Sequence, residues 1–416
     1  MKKIIALLLS VLMVVSLASC GGESNNKETS KPEETKKETQ KPEETKKAEE
    51  STKPEETQKA AEAGNPNAAD FKNFEDQSWD INKYYNDLGV EANVTYTAKG
   101  GIVYVPDKPT TDMPKAKKEY TIGFSVYYTV DEVGAMMLDT MKEYAKKCGV
   151  KLLVNDANYD QNLQNQAIEQ WIVEGVDGVI LAPCDFYSVK GALDSLKKAN
   201  IPVITLNPAL EGEAQSVVMS ECTEQGAMAA KILIDELKKN GSDMKGTIVY
   251  QTLPFTHPNA ATRAKGFKDA FAEYKDIEIV ELTGSSPEDH YTAFEGAMTN
   301  YGDKLIGAFG LYSSATIGML NAKKAANSKI PITSIDNDKV ILQAIDKGEC
   351  LGSACYSSTS PAIWCMSQMV NLLNGEDIPS AMFYPNTVVT KDNVAEMFEF
   401  YYNGKTLADY EAGKVD

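Results

Sequence analysis

The chain has 416 residues, 43% apolar and 25% charged, and a formal net charge of −18. This is an ordinary composition for a water-soluble globular protein with room for two or three domains, and the acidic balance argues against nucleic acid or an anionic lipid surface as a partner. Two histidines, His257 and His290, lack metal-ligand spacing, and the seven cysteines include no CxxC pair.

In chain order, the first element is an apolar run over 4–17, between Met1-Lys2-Lys3 and Leu17-Ala18-Ser19-Cys20. A charged start, an apolar stretch and small residues before a cysteine have the layout of an export signal. The run is shorter than the ~20 residues that a membrane-spanning helix needs. Its Leu-Ala-Ser-Cys box resembles the lipobox of exported lipoproteins. The resemblance implies a signal peptide over 1–20, acylation of Cys20, and an extracytoplasmic chain held to the cell membrane by lipid alone. Residues 21–68 repeat Lys-Pro-Glu-Glu-Thr from Lys31, Lys41 and Lys53, with no Val, Ile, Leu or aromatic residue before Phe71. Such a segment cannot offset its ordering entropy by burial and is expected to be a disordered tether.

Residues 69–118 form a small accessory segment. Phe71, Phe74, Trp79, Ile81, Tyr84 and Tyr85 predict a short amphipathic helix. Val94-Thr-Tyr-Thr97 and Ile102-Val-Tyr-Val105, split by Lys99-Gly-Gly101, predict a hairpin. So few residues need a neighbour to pack on, and the main body is the expected one. No function can be read from them.

From Tyr120 onward short apolar strands alternate with amphipathic helices. Strands are expected over 121–127, 151–154, 178–182 and 202–206, with helices over 133–148, 163–174 and 188–199. A second series places helices over 224–240, 260–274, 291–301 and 315–326, with strands over 246–250, 277–283, 305–309 and 332–335. Repeated strand-then-helix units imply parallel sheets with right-handed crossovers, hence an α/β fold of two doubly wound, Rossmann-like lobes. In such sheets ligands sit beyond the carboxyl ends of the strands. Tyr127, Tyr128, Asp131, Asp185, Asn207, His257, Asn259, Arg263, Asp336 and Asn337 fall there. Carboxylates and amides accept hydroxyl protons, a guanidinium donates in a fixed fork, and tyrosine rings can lie against apolar C–H faces. The set suits a small polyhydroxylated ligand. Trp171 and Trp364 lie on helix faces turned to the sheets and are read as core. Alternation along the first strand favours Tyr127 over Tyr128 for the cleft. Cys148, Cys184, Cys222, Cys350, Cys355 and Cys365 are expected to be free thiols in apolar surroundings.

Val173-Glu-Gly-Val-Asp-Gly-Val-Ile-Leu181, Ala199-Asn-Ile-Pro-Val-Ile-Thr-Leu-Asn207 and Arg263-Ala-Lys-Gly-Phe267 carry a family resemblance. The stretch 119–396 resembles the ribose/galactose-type periplasmic binding proteins of sugar ABC transporters, and His257-Pro-Asn-Ala-Ala-Thr-Arg263 is similar to a segment of the galactose/glucose-binding members. The resemblance implies the type I fold with a three-crossing hinge, near 219–222, 352–356 and 383–386. The lobes would be 119–221 plus 355–384 and 222–354 plus 385–416. It implies Asp131, Asn207, His257, Asn259, Arg263 and Asp336 as ligand contacts; Tyr127, from the strand pattern, and Tyr312 and Tyr356, which stand in family contact slots, complete the candidate set. Departures occur at Val133 and Gly134, where the family stacks a Phe, at Pro208, and at Tyr312 and Tyr356, where amides are usual. A second family aromatic falls nearest His290. The calcium loop of the galactose/glucose binders is missing at 240–245, so no metal or cofactor is expected. The implied partners are a monosaccharide-like ligand and an ABC permease, with no nucleic acid and a monomeric chain. The alternatives are a receptor feeding a sensory or chemotaxis partner, or one binding a non-sugar solute such as a nucleoside. No nucleophile–base pair marks an enzyme, and a lipobox stands where a two-lobed transcription regulator would carry its helix-turn-helix.

Overall fold

The computed structural model describes residues 80–109, 112–129, 132–254 and 257–414. The signal and lipobox with Cys20, the tether, the start of the accessory segment and Asp131 lie outside these residues. All described residues belong to the unit Gln58–Asp416.

The accessory segment supplies α1 (Ile81–Asp87), β1 (Asn93–Tyr96) and β2 (Gly100–Tyr104). The first series then runs β3 (Thr121–Val126), α2 (Glu132–Cys148), β4 (Lys151–Asp156), α3 (Gln161–Glu174), β5 (Gly178–Leu181), α4 (Lys190–Lys198), β6 (Val203–Leu206), β7 (Glu211–Ala214) and β8 (Ser216–Met219). The second runs α5 (Cys222–Lys239), β9 (Gly246–Thr252), α6 (Pro258–Ala270), β10 (Ile277–Thr283), α7 (Pro287–Tyr301), β11 (Leu305–Gly310), α8 (Ser313–Ala325), β12 (Ile332–Ile335), α9 (Lys339–Asp346) and β13 (Gly352–Tyr356). The chain closes with α10 (Ser360–Leu373), β14 (Pro379–Phe383), β15 (Asn386–Thr390), α11 (Val394–Tyr401) and α12 (Leu407–Glu411).

Local chemistry explains these elements. The central strands β5, β6 and β8 are buried at every position, as parallel strands covered on both faces must be. Helix α3 starts where the Asp160 side chain accepts from Asn162 N and stops at Gly175 in the left-handed region. Helix α7 starts at Ser286, whose side chain accepts from Asp289 N, with Pro287 in its first turn.

The first sheet has the order β2-β14-β8-β6-β5-β3-β4, and every neighbouring pair is parallel. The second has the order β10-β9-β11-β12-β13-β15, parallel except for β13–β15. The run β4-β3-β5-β6-β8 in one matches β10-β9-β11-β12-β13 in the other, so the fold is two doubly wound sheets in one α/β chain. The backbone passes between them after Met219, after Tyr356 and after Phe383. Helix α10 packs on the first sheet, with Ala362, Ile363, Trp364 and Met369 in one core with Ile180 and Ile204. The second passage therefore follows Tyr356, where the sequence boundary stood before Cys355. Cys355 and Tyr356 are needed on β13 to pair with Thr387 and Asn386 of β15.

The hairpin expectation fails. β1 pairs in parallel with β7, and β2 pairs in parallel with β14, in different sheets. Neither Gly100 nor Gly101 has the positive φ of a tight hairpin turn. A Cβ at Gly100 would lie 2.7 Å from Pro379 Cα, so this glycine serves a close approach to β14. The segment does pack on the main body: Ile81, Tyr85, Val90 and Val94 share a core with Ile168, Trp171, Val179 and Leu193. Trp171 and Trp364 are core residues, 5% and 0% exposed. Cys148, Cys222, Cys350, Cys355 and Cys365 are free and buried, and Cys184 is free and half-buried.

Candidate ligand-binding site

Helix α6 opens at His257 with Pro258 in its first turn, which sets Asn259 and Arg263 one turn apart on a common face. The helix lies against α5 at backbone distance. A Cβ at Gly226 would meet Arg263 O at 1.9 Å, and a Cβ at Gly266 would meet Thr223 O at 1.9 Å. Two facing glycines therefore set where Arg263 stands. Its Nε donates to Gln225 Oε1 at 2.7 Å and one Nη to Leu311 O at 2.9 Å. The other Nη lies 3.8 Å from Asp336 Oδ1, and the guanidinium carbon is 5.7 Å from the Tyr356 ring centre. Arg263 is only 9% exposed and Asp336 5%. Burial is the largest single influence and works against the Arg263 charge, but Asp336, Cys222 and Tyr356 together outweigh it and hold the group above its ordinary value.

Asp336 follows β12 with φ 80, and Asn207 follows β6, the matching strand of the first sheet, with φ 67. Asn and Asp enter this region more readily than other side chains, at a cost of about 1–2 kcal/mol. The bend in each sheet turns the backbone at the carboxyl end of the strand. Asp336 is held firmly there. Its Oδ2 accepts from Ser313 N at 2.8 Å and Ser313 Oγ at 3.2 Å, and its carbonyl accepts from Ser353 Oγ at 2.7 Å. Its buried Oδ1 has no hydrogen-bond partner among the described residues. Next to it, Asn337 Oδ1 accepts from Ser358 Oγ at 2.7 Å, which ties the strand end to the second passage.

Of the residues singled out from sequence, the structure thus brings Arg263, Asp336 and Tyr356 together, with His257 and Asn259 on the same helix. Tyr356 is half-buried, 6.2 Å from the Tyr384 ring. Tyr127 is half-buried and packs on the same apolar cluster as Tyr356. Its ring stacks on Tyr159 at 5.4 Å, and so does that of Tyr128 at 5.0 Å. No hydrogen bond among the described residues joins Asn207 to Arg263 or Asp336. Tyr312 spends its hydroxyl inside the second lobe: it donates to Gly284 O at 3.1 Å and meets His290 Nε2 at 2.7 Å. One hydroxyl proton cannot serve both, so His290 is the donor at Nε2. His290 is fully buried and turns no face to a cleft. Asp131 lies outside the described residues.

The two lobes touch beyond the strand ends. The His257 ring meets Phe186 of the first lobe edge-on at 4.8 Å. Burial, and then the nearby Arg263 charge, lower the His257 pKa to about 4. Glu132 at the start of α2 pairs with Lys339 of α9: Nζ lies 2.8 Å away and Lys339 N donates at 3.1 Å. Burial, and then Glu132, raise the pKa of neighbouring Asp338 to about 7. Among the described residues no group of His, Cys, Asp and Glu could hold a metal ion, and no helix is long and apolar enough to cross a membrane. Two surface recesses, one beside Leu193 and Gln215 and one beside Leu152 and Trp171, lie away from these strand ends.

Gln225 escaped the sequence reading. It supports Arg263, and its Nε2 reaches Ser220 Oγ and Asn386 Oδ1, both at 2.8 Å, so it spans the first and third passages. The signal was its place on the apolar stripe of α5, with Cys222, Ala229, Leu233 and Leu237. A polar residue on such a stripe has to find partners inside. Glu132 and Lys339 left no such mark, because their pairing depends on how the lobes meet.

Residues 122–377 match the family model described as periplasmic binding protein domain. A xylitol-binding protein of Mycolicibacterium smegmatis is 26% identical over 258 residues, 61% of this chain and 72% of that one. A ribose import binding protein of Bacillus subtilis is 27% identical over 237 residues, 55% of this chain and 73% of that one. Among solved structures, a periplasmic solute binding protein of Actinobacillus succinogenes with bound D-allose has a TM-score of 0.62 at 21% identity, covering 67% of this chain and 99% of that one. A galactofuranose binding protein has a TM-score of 0.63 at 22% identity, covering 68% and 99%. At such identities the structures speak for the fold alone.

Proposed function

The chain belongs to the periplasmic binding protein domain family, and from that premise we propose that it is a lipid-anchored extracytoplasmic receptor that closes its lobes on a monosaccharide-like ligand and delivers it to an ABC importer. The observation that carries the ligand class is the Arg263–Asp336 pair. The buried Asp336 Oδ1 has no hydrogen bond among the described residues, and a guanidinium nitrogen stands 3.8 Å from it. Buried carboxylate oxygens rarely stay unpaired. A ligand hydroxyl donating to Asp336 and accepting from Arg263 completes both. Tyr356, under the guanidinium, and Tyr127 offer ring faces to C–H groups. The relatives named for xylitol and ribose support a polyol or pentose-like solute. Asn207, His257, Asn259 and Tyr312 complete the proposed contact set, together with Asp131.

No step of bond-making is assigned to the site. Ligand held by both lobes favours the closed arrangement, because only that arrangement makes contacts from both sides. The monomeric chain hangs from Cys20 on a spacer, within reach of a permease. The test is a thermal-shift screen of pentoses, hexoses, polyols and nucleosides, followed by calorimetry. A sugar or polyol at a hundredfold excess over its Kd should stabilise the protein by about 2.7 kcal/mol. A shift from a nucleoside or amino acid alone would overturn the ligand class.

A further inference from the structure

The accessory segment lies before the family match, and the described part of it touches all three passages between the lobes. At the first passage, Tyr84 Oη donates to Glu221 Oε2 at 2.6 Å and Tyr85 is buried beside Met219, its hydroxyl 3.7 Å from the sulfur. At the third, Val105 N donates to Phe383 O at 2.9 Å. At the second, Ser360 Oγ donates to Asp107, reaching its carbonyl and its Oδ1, just where the chain re-enters the first lobe as α10. Trp364 Nε1 of the same helix donates to Pro106 O at 3.0 Å. The next residue, Lys108, reaches the second lobe. Lys108 Nζ donates to Phe400 O at 2.9 Å and Asn403 Oδ1 at 3.3 Å, and sits 4.6 Å from the Phe400 ring centre. Phe400 is on α11, whose Phe398 and Tyr401 are core residues of the second lobe. Within four residues, from Val105 to Lys108, the segment is hydrogen-bonded to both lobes.

We propose that residues 80–109 are a splint across the hinge, a fourth and non-covalent link that holds the ligand-free receptor near its closed arrangement. Three peptide connections alone leave the lobes free to part by rotation at the passages. Opening with the splint in place must break the Lys108 bonds to α11 or peel Val105–Asp107 from β14 and α10. The segment so acts on affinity without touching ligand: a receptor already biased to closure spends less of its binding free energy on closing.

The test needs no ligand, so it stands apart from the ligand class proposed above. Backbone hydrogen exchange is followed on the ligand-free full chain for residues 220–222, 357–360 and 384–386. Lys108→Ala should speed exchange at these passages about fivefold, the size expected for losing a half-exposed charged hydrogen bond. Tyr84→Phe, which removes only one hydroxyl, should do so at residues 220–222. Lys99→Ala, in the connection from β1 to β2 with its side chain 86% exposed, should match wild type. If Lys108→Ala and Tyr84→Phe alter exchange only within 80–109 and leave all three passages at wild-type rates, the segment merely decorates the first lobe and the proposal fails.

Discussion

The α5–α6 contact sets the position of Arg263, and Gly266→Ala tests that. The new Cβ would lie 1.9 Å from the Thr223 carbonyl oxygen and 2.8 Å from its carbon. A carbon–oxygen contact needs about 3.3 Å, so the helices must part by roughly 1.4 Å. Both partners are helix backbone, and no rotamer change can relieve the clash. Overpacking of this kind costs about 1–3 kcal/mol, against a gain of about 1 kcal/mol from the better helix propensity of alanine. The net loss of stability should be at most about 2 kcal/mol. The effect on binding should be larger. Arg263 rides on the helix that moves, while Gln225 stays on α5, so their 2.7 Å bond opens to roughly 4 Å, beyond hydrogen-bond range. A charged hydrogen bond is worth about 1.5–3 kcal/mol, and affinity should fall tenfold or more. The assay is a thermal melt with calorimetry against the ligand found in the screen. Gly296→Ala is the control, because a Cβ on that glycine of α7 meets nothing within 4 Å; it should be neutral or stabilising. A Gly266→Ala protein that melts and binds like wild type would refute the reasoning.

Asp336→Ala and Arg263→Ala should each weaken binding by about 2–4 kcal/mol in calorimetry, since either leaves a charged partner unpaired in a dry cleft; unchanged affinity in either would displace the site. The pH dependence follows from Asp338. Its pKa is raised to about 7 in the fold by burial and then Glu132, so the folded state binds the extra proton between the usual carboxylate value and pH 7, and stability from this group falls as pH rises through that window. Asp338→Asn keeps the α9 cap and removes the titration. Its Tm should gain on wild type from pH 4 to pH 7, and a constant difference across that range would contradict the assignment. Cys20→Ala should release the protein from the membrane fraction and abolish acyl labelling; a fully labelled variant would remove the anchor.

The repeating strands and helices were legible because a parallel strand covered on both faces has no reason to alternate. Gly178-Val-Ile-Leu181 reads as a plain apolar run, and the structure buries all four. The strand β7, Glu211-Gly-Glu-Ala214, was not legible: it is largely half-buried and polar, and among the described residues it pairs with β1 alone. The glycines at 100 and 101 misled, since sequence reads Gly-Gly as a turn and here both lie on β2, with Gly100 serving a close approach of two backbones. At the site, Arg263 and Asp336 announced themselves by chemistry at strand ends, and their pairing is seen at 3.8 Å. The use of the Tyr312 hydroxyl by His290 and Gly284 could not be foreseen, because it joins the start of α8 to α7 and the connection before it.

The order of strands in the first sheet has a bearing on folding. β14 lies between β2 and β8, and Ser380 on it bonds Gly101, 279 positions earlier. The second sheet waits for β15 in the same way. Each sheet is therefore completed only by a strand that follows all its other strands in sequence. Such long-range closure is slow, so β14 and β15 are expected to join sheets whose other strands have already associated.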